Sequence, residues 1–282
     1  MGGRVVVVTD STAYLPTGLA DELSVRVVPL QVVLGGRSGA EGSEVTPAQV
    51  AAALAAWVPV STSRPTPTEF AAVYREALEG GACGVVSLHL SRELSGTWDS
   101  ARLAAGEVGA DSIRVVDSRS AAMGLGFAVL AAAKAAAAGG SPEEVYAAAV
   151  GTAERTTTLF YVDTLEHLRR GGRIGAAQAL LGTALSVKPI LHVREGRIVP
   201  LEKVRTVSKG IARLEALAVA AAGDGPADVA VHHLAAAERA ALLAERLRTR
   251  LPQVGQFYAS EVGAVVGAHV GPGVLGVVVV RH

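Results

Sequence analysis

With 282 residues, half of them hydrophobic, 18% charged and a formal net charge of zero, the chain can bury a large core. Balanced charge without a long basic cluster argues against nucleic acid as the main partner. Aromatics at 4% are too few for stacking platforms, and one cysteine excludes an internal disulfide and fits a reducing compartment. Domains usually hold ~100–200 residues, so one large or two medium domains are expected.

Met1-Gly2-Gly3-Arg4 runs directly into Val5–Val8, without the charged, apolar and cleavage regions of a secretory signal. No run of about 18 apolar residues escapes interruption by Lys, Glu or Gly. A cytoplasmic protein is the expectation. Val5–Val8 reads as a buried strand ending in Thr9-Asp10-Ser11-Thr12, polar residues where open α/β sheets keep their ligand crevice. A short helix follows Pro16, then a strand region from Val25 to Leu34 that Pro29 pushes toward an edge. Thr46-Pro47 opens an alanine-rich helix to Trp57. Thr66 and Glu69 have capping-box spacing, so the next helix starts near Pro67. Thr62, Ser63 and Arg64 lie just ahead on an extended segment, because Pro65 disfavours a helical residue before it. Two hydroxyls and a guanidinium there make either an anion-binding edge or an ordinary solvated turn.

Cys83–Leu90 reads as one buried strand, with Cys83 in a packing role. It leads through Ser91–Thr97 into a helix from Trp98 to Ala105. A strand, a Ser-Gly-Thr turn and a helix leave backbone N–H groups and hydroxyls aimed at one spot, which suits a carboxylate or phosphate. The plainer alternative is that Ser95 caps the helix. Ile113–Asp117 reads as a strand, the segment to Ala138 as a buried helix, and Ser141–Glu144 as a capping box starting a helix to about Glu154. This β/α alternation predicts a mostly parallel sheet with helices on both faces, in a domain of residues 1–156.

The pattern changes in residues 157–282. Leu159–Val162 is a strand, Leu165–Leu168 a short helix ending in Arg169-Arg170-Gly171-Gly172, and Val187–Val204 a hairpin around Glu195-Gly196. Helices over Val207–Ala222 and Ala236–Arg250 alternate with strands at Asp228–His233, Phe257-Tyr258 and Val274–Val280. A mixed sheet with helices on one face, a two-layer α+β domain, is expected.

No H-x-x-x-H or cysteine pair supports a metal, and His232 and His233 point to opposite faces of their strand. Gly271-Pro272-Gly273-Val274-Leu275-Gly276 matches a dinucleotide string but precedes a strand, so that reading is rejected. Ser95, His269 and Asp10 or Asp117 could assemble as a hydrolytic triad, although Glu93 stands where a nucleophile elbow needs glycine. Arg170, Arg173, Lys188 and Arg205 suit phosphate or carboxylate, or else solvent and helix ends. His269, in the glycine-rich bend 267–273, is structural unless it converges with Ser95 and Thr62.

Eight segments in order resemble the DegV family, the fatty-acid-binding subunits of bacterial fatty acid kinase. They are Val8–Thr12, Thr62–Pro65, Leu94–Thr97, Val116–Ser118, Leu168–Ile174, Lys188–Ile190, Lys203–Thr206 and Gly267–Gly273. The resemblance implies a two-domain DegV-like α/β fold, a parallel-sheet α/β/α domain followed by a mixed-sheet α+β domain, with a fatty acid of the palmitate, stearate or oleate class between them. It implies that Thr62 and Ser95, with neighbours Ser63 and Gly96, and His269 hold the carboxylate. Arg170, Arg173 and Arg205 would form the phosphotransfer edge where an ATP-binding kinase subunit docks and makes the acyl phosphate. Arg64 departs from the glutamine common after the family's Thr-Ser pair. No catalytic residue, metal or cofactor of its own, a monomeric state and at most transient membrane contact are implied. The alternatives are a serine esterase or acyl hydrolase using Ser95 and His269, and, by fold analogy only, a polyol-phosphate enzyme.

Overall fold

The structure, a computed structural model, describes residues 3–180 and 187–282. Met1 and Gly2, where the reading of the N-terminus begins, lie outside the described residues. In chain order the elements are β1 (Val5–Asp10), α1 (Leu19–Glu22), β2 (Arg26–Val28), β3 (Gln31–Leu34), β4 (Arg37–Ala40), α2 (Pro47–Ala55), β5 (Val60–Ser63) and α3 (Pro67–Glu79). There follow β6 (Gly84–His89), α4 (Thr97–Val108), β7 (Ile113–Asp117), α5 (Met123–Ala137), α6 (Pro142–Glu154), β8 (Thr156–Tyr161) and α7 (Glu166–Arg170). The chain ends with β9 (Lys188–Arg194), β10 (Arg197–Val204), α8 (Val207–Ala222), β11 (Ala227–His233), α9 (Ala237–Arg250), β12 (Val254–Glu261), α10 (Ala264–Val270) and β13 (Leu275–Arg281).

Contacts divide the chain into two compact units, residues 3–31 with 63–154, and residues 32–62 with 155–282. The last crossing lies at 154/155. Residues 32–62 amend the expectation of a single cut, because they group with the second unit. The physical reason is a set of contacts made there: α2 packs on α10, and the buried Glu41 carboxylate accepts the Val265 N–H at 2.7 Å.

In the first unit, β2-β1-β6-β7 form a wholly parallel sheet. Alternation puts Val6, Val8, Val85 and Ile113 on one face, packed against Phe70, Ala71 and Tyr74 of α3 and Ala101, Ala104 and Ala105 of α4. Packing of α5 and α6 on each other and against β1 and β6 takes up the opposite residues, including Val7 and Val86. The Thr66/Glu69 capping box is complete in both directions and Pro67 opens α3, as the spacing predicts. Cys83 corrects the sequence reading. The strand begins at Gly84, and Cys83 is exposed in the turn after Gly81, whose φ is +87°.

In the second unit the sheet order is β10-β9-β8-β13-β11-β12, antiparallel except for the β11–β12 pair that α9 connects. Leu159, Tyr161, Val229, Val231, Leu275, Val277 and Val279 form the face buried by Leu214 and Ala218 of α8 and Leu243 and Leu247 of α9. Glu195 and Gly196 have φ of +52° and +79°, the left-handed pair that a tight two-residue hairpin requires. A smaller sheet, β4-β3-β5, comes from the 32–62 segment apart from its boundary residues Gln31 and Ser63.

Candidate ligand-binding site

Within the second unit, Thr62 on β5 and His269 on α10 meet across 207 residues of sequence, with Thr62 Oγ1 2.8 Å from His269 Nε2. His269 therefore sits in the last turn of a helix, which corrects the expectation of a bend. Gly267 within that helix and Gly271 after it hid a periodic segment that only its tertiary seat stabilises. Glycines also create the space for the ring. A Cβ on Gly171 would stand 3.0 Å from His269 Cε1 and closer still to Nδ1. Reciprocally, His167 of α7 packs on Gly271, whose φ of +78° itself favours glycine.

Burial, and then the charge of Arg173, holds the His269 pKa down at about 4, so the ring is neutral at pH 7. Its Nδ1 is buried without a hydrogen-bond partner among the described residues. A buried orphan N–H is costlier than a buried orphan acceptor, which assigns the proton to Nε2. Nε2–H then donates to Thr62 Oγ1, and the Thr62 hydroxyl keeps its own hydrogen for an external acceptor. That arrangement offers a carboxylate a hydroxyl donor on a neutral imidazole, with the Arg173 charge nearby.

In the first unit the chain order of the sheet reverses between β1 and β6, the switch point where parallel sheets collect ligands at their carboxyl ends. Asp10 ends β1 fully buried and accepts four hydrogen bonds, from Thr12 N (3.0 Å), Thr12 Oγ1 (2.5 Å), His89 Nδ1 (3.0 Å) and Leu90 N (3.0 Å). One carboxylate thus ties together the ends of β1 and β6. The loop that leaves β6 carries Ser95, whose Oγ is 2.9 Å from Thr97 Oγ1 and accepts the Thr97 N–H at 3.3 Å. Gly96 is the N-cap of α4, and Ser95 just ahead of it takes the N–H of the first helical residue, Thr97, without being the cap residue itself. Arg64 lies on Gly96: a Cβ there would be 2.8 Å from its Cζ and 3.0 Å from its Cδ, with Nη1 closer.

The remaining expected residues fall as follows. Ser63 ends β5 and is exposed. Arg170 on α7 shares Glu166 with Arg169 and stacks over the exposed Trp57 ring at 4.7 Å. Hydrogen bonds from both arginines hold the Glu166 pKa down at about 2. Arg173 donates to Gly171 O at 2.7 Å and is half-buried beside His269, whereas Arg205 is exposed just before α8. Lys188 donates to Asp163 O and Oδ1 at 2.8 and 3.3 Å.

A linked Ser-His-Asp line does exist, but not among the residues the sequence singled out. Tyr74 O–H donates to Ser87 Oγ, Ser87 Oγ lies 2.8 Å from His89 Nε2, and His89 Nδ1 meets Asp10. Every member is fully buried between the sheet and α3, so no substrate reaches the hydroxyl. Alternation along β6 was its signal, since Ser87 and His89 share the face of Val85. The triad partners read from sequence have other bonds: Ser95 to Thr97, His269 to Thr62. Among the described residues no group of three His, Cys, Asp or Glu side chains is placed to share a metal ion, and no helix is long and apolar enough to cross a membrane.

A parallel-sheet unit and a mixed-sheet unit, each with a hydroxyl-bearing polar cluster, define a two-unit α/β protein. A family model described as "Uncharacterised protein, DegV family" matches residues 4–282. A DegV domain-containing protein of Streptomyces coelicolor is 57% identical over 279 residues, 99% of each chain. A fatty-acid-binding DegV family protein from Thermus thermophilus superposes with a TM-score of 0.93 at 38% identity, covering 98% of this chain and 99% of that one. DegV of Bacillus subtilis, described as a fatty acid binding protein, gives 0.89 at 37% identity with 99% of both chains covered. The chain belongs to the DegV family.

Proposed function

We propose that this chain binds a long-chain fatty acid of the palmitate, stearate or oleate class, with Thr62, Ser63, Ser95, Gly96 and His269 as its carboxylate-binding set, and presents the acid group to a separate ATP-dependent kinase subunit. Arg170, Arg173 and Arg205 are the edge at which that subunit works. The kinase would transfer the terminal phosphoryl group of ATP to the carboxylate, giving an acyl phosphate and ADP. Two relatives above 35% identity are described as fatty-acid binders, which supports the ligand class.

The observation that carries the reading is the 2.8 Å contact between the Thr62 hydroxyl and the neutral His269 imidazole. An acyl chain of about 15 methylenes contributes on the order of 12 kcal/mol of gross burial, enough for retention after ordering losses. Burying its carboxylate costs several kcal/mol unless donors meet it, so the hydroxyls fix orientation. A serine hydrolase is not favoured by any observation, because Ser95 and His269 are bonded to other partners.

Titration with palmitate and oleate tests the binding half. One equivalent should bind, and Thr62→Val should weaken it by about tenfold or more with thermal stability retained. Saturable binding that ignores Thr62→Val would remove this residue set. For the presentation half, acyl phosphate should form from ATP and oleate only when a kinase subunit is added; formation by the chain alone would refute it.

A further inference from the structure

Arg64 stands out as a cation without a counter-charge. Its guanidinium is exposed and has no hydrogen bond or ion pair among the described residues, yet its position is defined by the bare Cα of Gly96 beneath it. None of the acids nearby in the chain forms an ion pair with Arg64 among the described residues: Glu69 Oε2 takes the Thr66 N–H and hydroxyl, Asp117 and Glu93 face Arg92, and Asp99 stands in the first turn of α4. The guanidinium rests on the turn where the half-buried Ser95 hydroxyl meets the buried Thr97 and where α4 begins at Gly96. Ser95 Oγ takes the first N–H of that helix and Asp99 offsets its positive end, so the guanidinium is the charge left without a partner beside Gly96. An anion in front of Gly96 would pair with it, and a planar fork matches a carboxylate in two-point geometry.

We propose that Arg64 is a specificity residue: held on Gly96 beside Ser95, its guanidinium takes the charge of the ligand's acid group and makes this chain select ionised fatty acids over neutral long-chain lipids. The inference rests on the reading that the acid end of the ligand lies at Ser95. Chain burial supplies affinity common to acid and alcohol, whereas Arg64 supplies the difference between them. The bare Cα of Gly96 leaves the space in which the guanidinium lies.

The test is calorimetric titration of oleate and of oleyl alcohol, both delivered from cyclodextrin, into the full chain and three variants. The wild-type chain should prefer oleate by about 10- to 100-fold. Arg64→Gln should lose most of that preference by weakening oleate alone. Arg64→Lys, with charge but no fork, should fall between. Gly96→Ala places a methyl where the guanidinium lies and should abolish the preference while Arg64 is still present. Oleate affinity should also fall with rising salt in the wild type and much less in Arg64→Gln. An unchanged preference in Arg64→Gln, or equal losses for both ligands, overturns the proposal while fatty-acid binding stands. A wild-type chain that takes neither ligand overturns the fatty-acid reading and this inference with it.

Discussion

His269 illustrates how a single residue is tuned by what is missing around it. Gly171 and Gly271 lack the Cβ atoms that would displace His269 and His167, so two imidazoles interdigitate at the ends of α7 and α10. Gly171→Ala should tilt the His269 ring off Thr62 and weaken fatty-acid binding by about tenfold while the protein stays folded, measured by titration alongside circular dichroism. Protonation gives a second readout. Burial holds both His269 and the fully buried His232 near a pKa of about 4, below the ordinary 6.5. Between those values the unfolded chain takes up protons that the folded chain refuses. Stability should therefore fall as pH drops from about 6.5 to about 4, by roughly 1.4 kcal/mol per unit for each ring, and level off below. Denaturant midpoints across that range should show the slope, and His232→Gln should flatten it. For the same reason oleate affinity should show no inflection near pH 6.5 attributable to His269.

At the scale of elements, local chemistry explains most of what forms. Valine runs make β1, β6 and β13, and the Thr-Pro-x-Glu and Ser-Pro-Glu-Glu patterns start α3 and α6 with the hydrogen bonds their spacing predicts. α10 is different. Its glycines and short length give it little intrinsic helicity, and its first turn is held by a carboxylate 224 residues away, Glu41 to Val265 N–H. Glu41→Ala should destabilise the protein by about 1–3 kcal/mol and loosen His269, which thermal unfolding and oleate titration would detect together. Sequence patterns found the strands and caps because those are set by neighbours within a few residues. They missed α10 because its stabilising partner is distant, and misassigned Cys83 because the strand starts one residue later.

For the whole molecule, the discontinuous second unit is the decisive feature. Residues 32–62 bring Thr62, Glu41 and α2 to α10, so the Thr62–His269 pair is assembled from segments far apart in the chain. A fragment beginning at Arg155 should expose Ala264, Val265 and Ala268, bind a hydrophobic dye and fail to bind oleate. Cooperative folding of that fragment with wild-type affinity would contradict this. The hydroxyls, His269 and the arginines were visible in sequence as chemistry at strand ends. Their partners were not: that His269 answers to Thr62 and Gly171, and that Arg64 covers Gly96, depends on tertiary approach that periodicity does not encode.

The central claim is that a neutral imidazole and a threonine hydroxyl hold the acid end of a bound acyl chain. Native mass spectrometry of the protein as purified tests it most directly, with the Thr62→Val variant beside it. The account predicts an added mass equal to a long-chain fatty acid in the wild type and a much smaller fraction of that adduct in the variant. Wild-type protein that carries no lipid and takes up none from added oleate would contradict it.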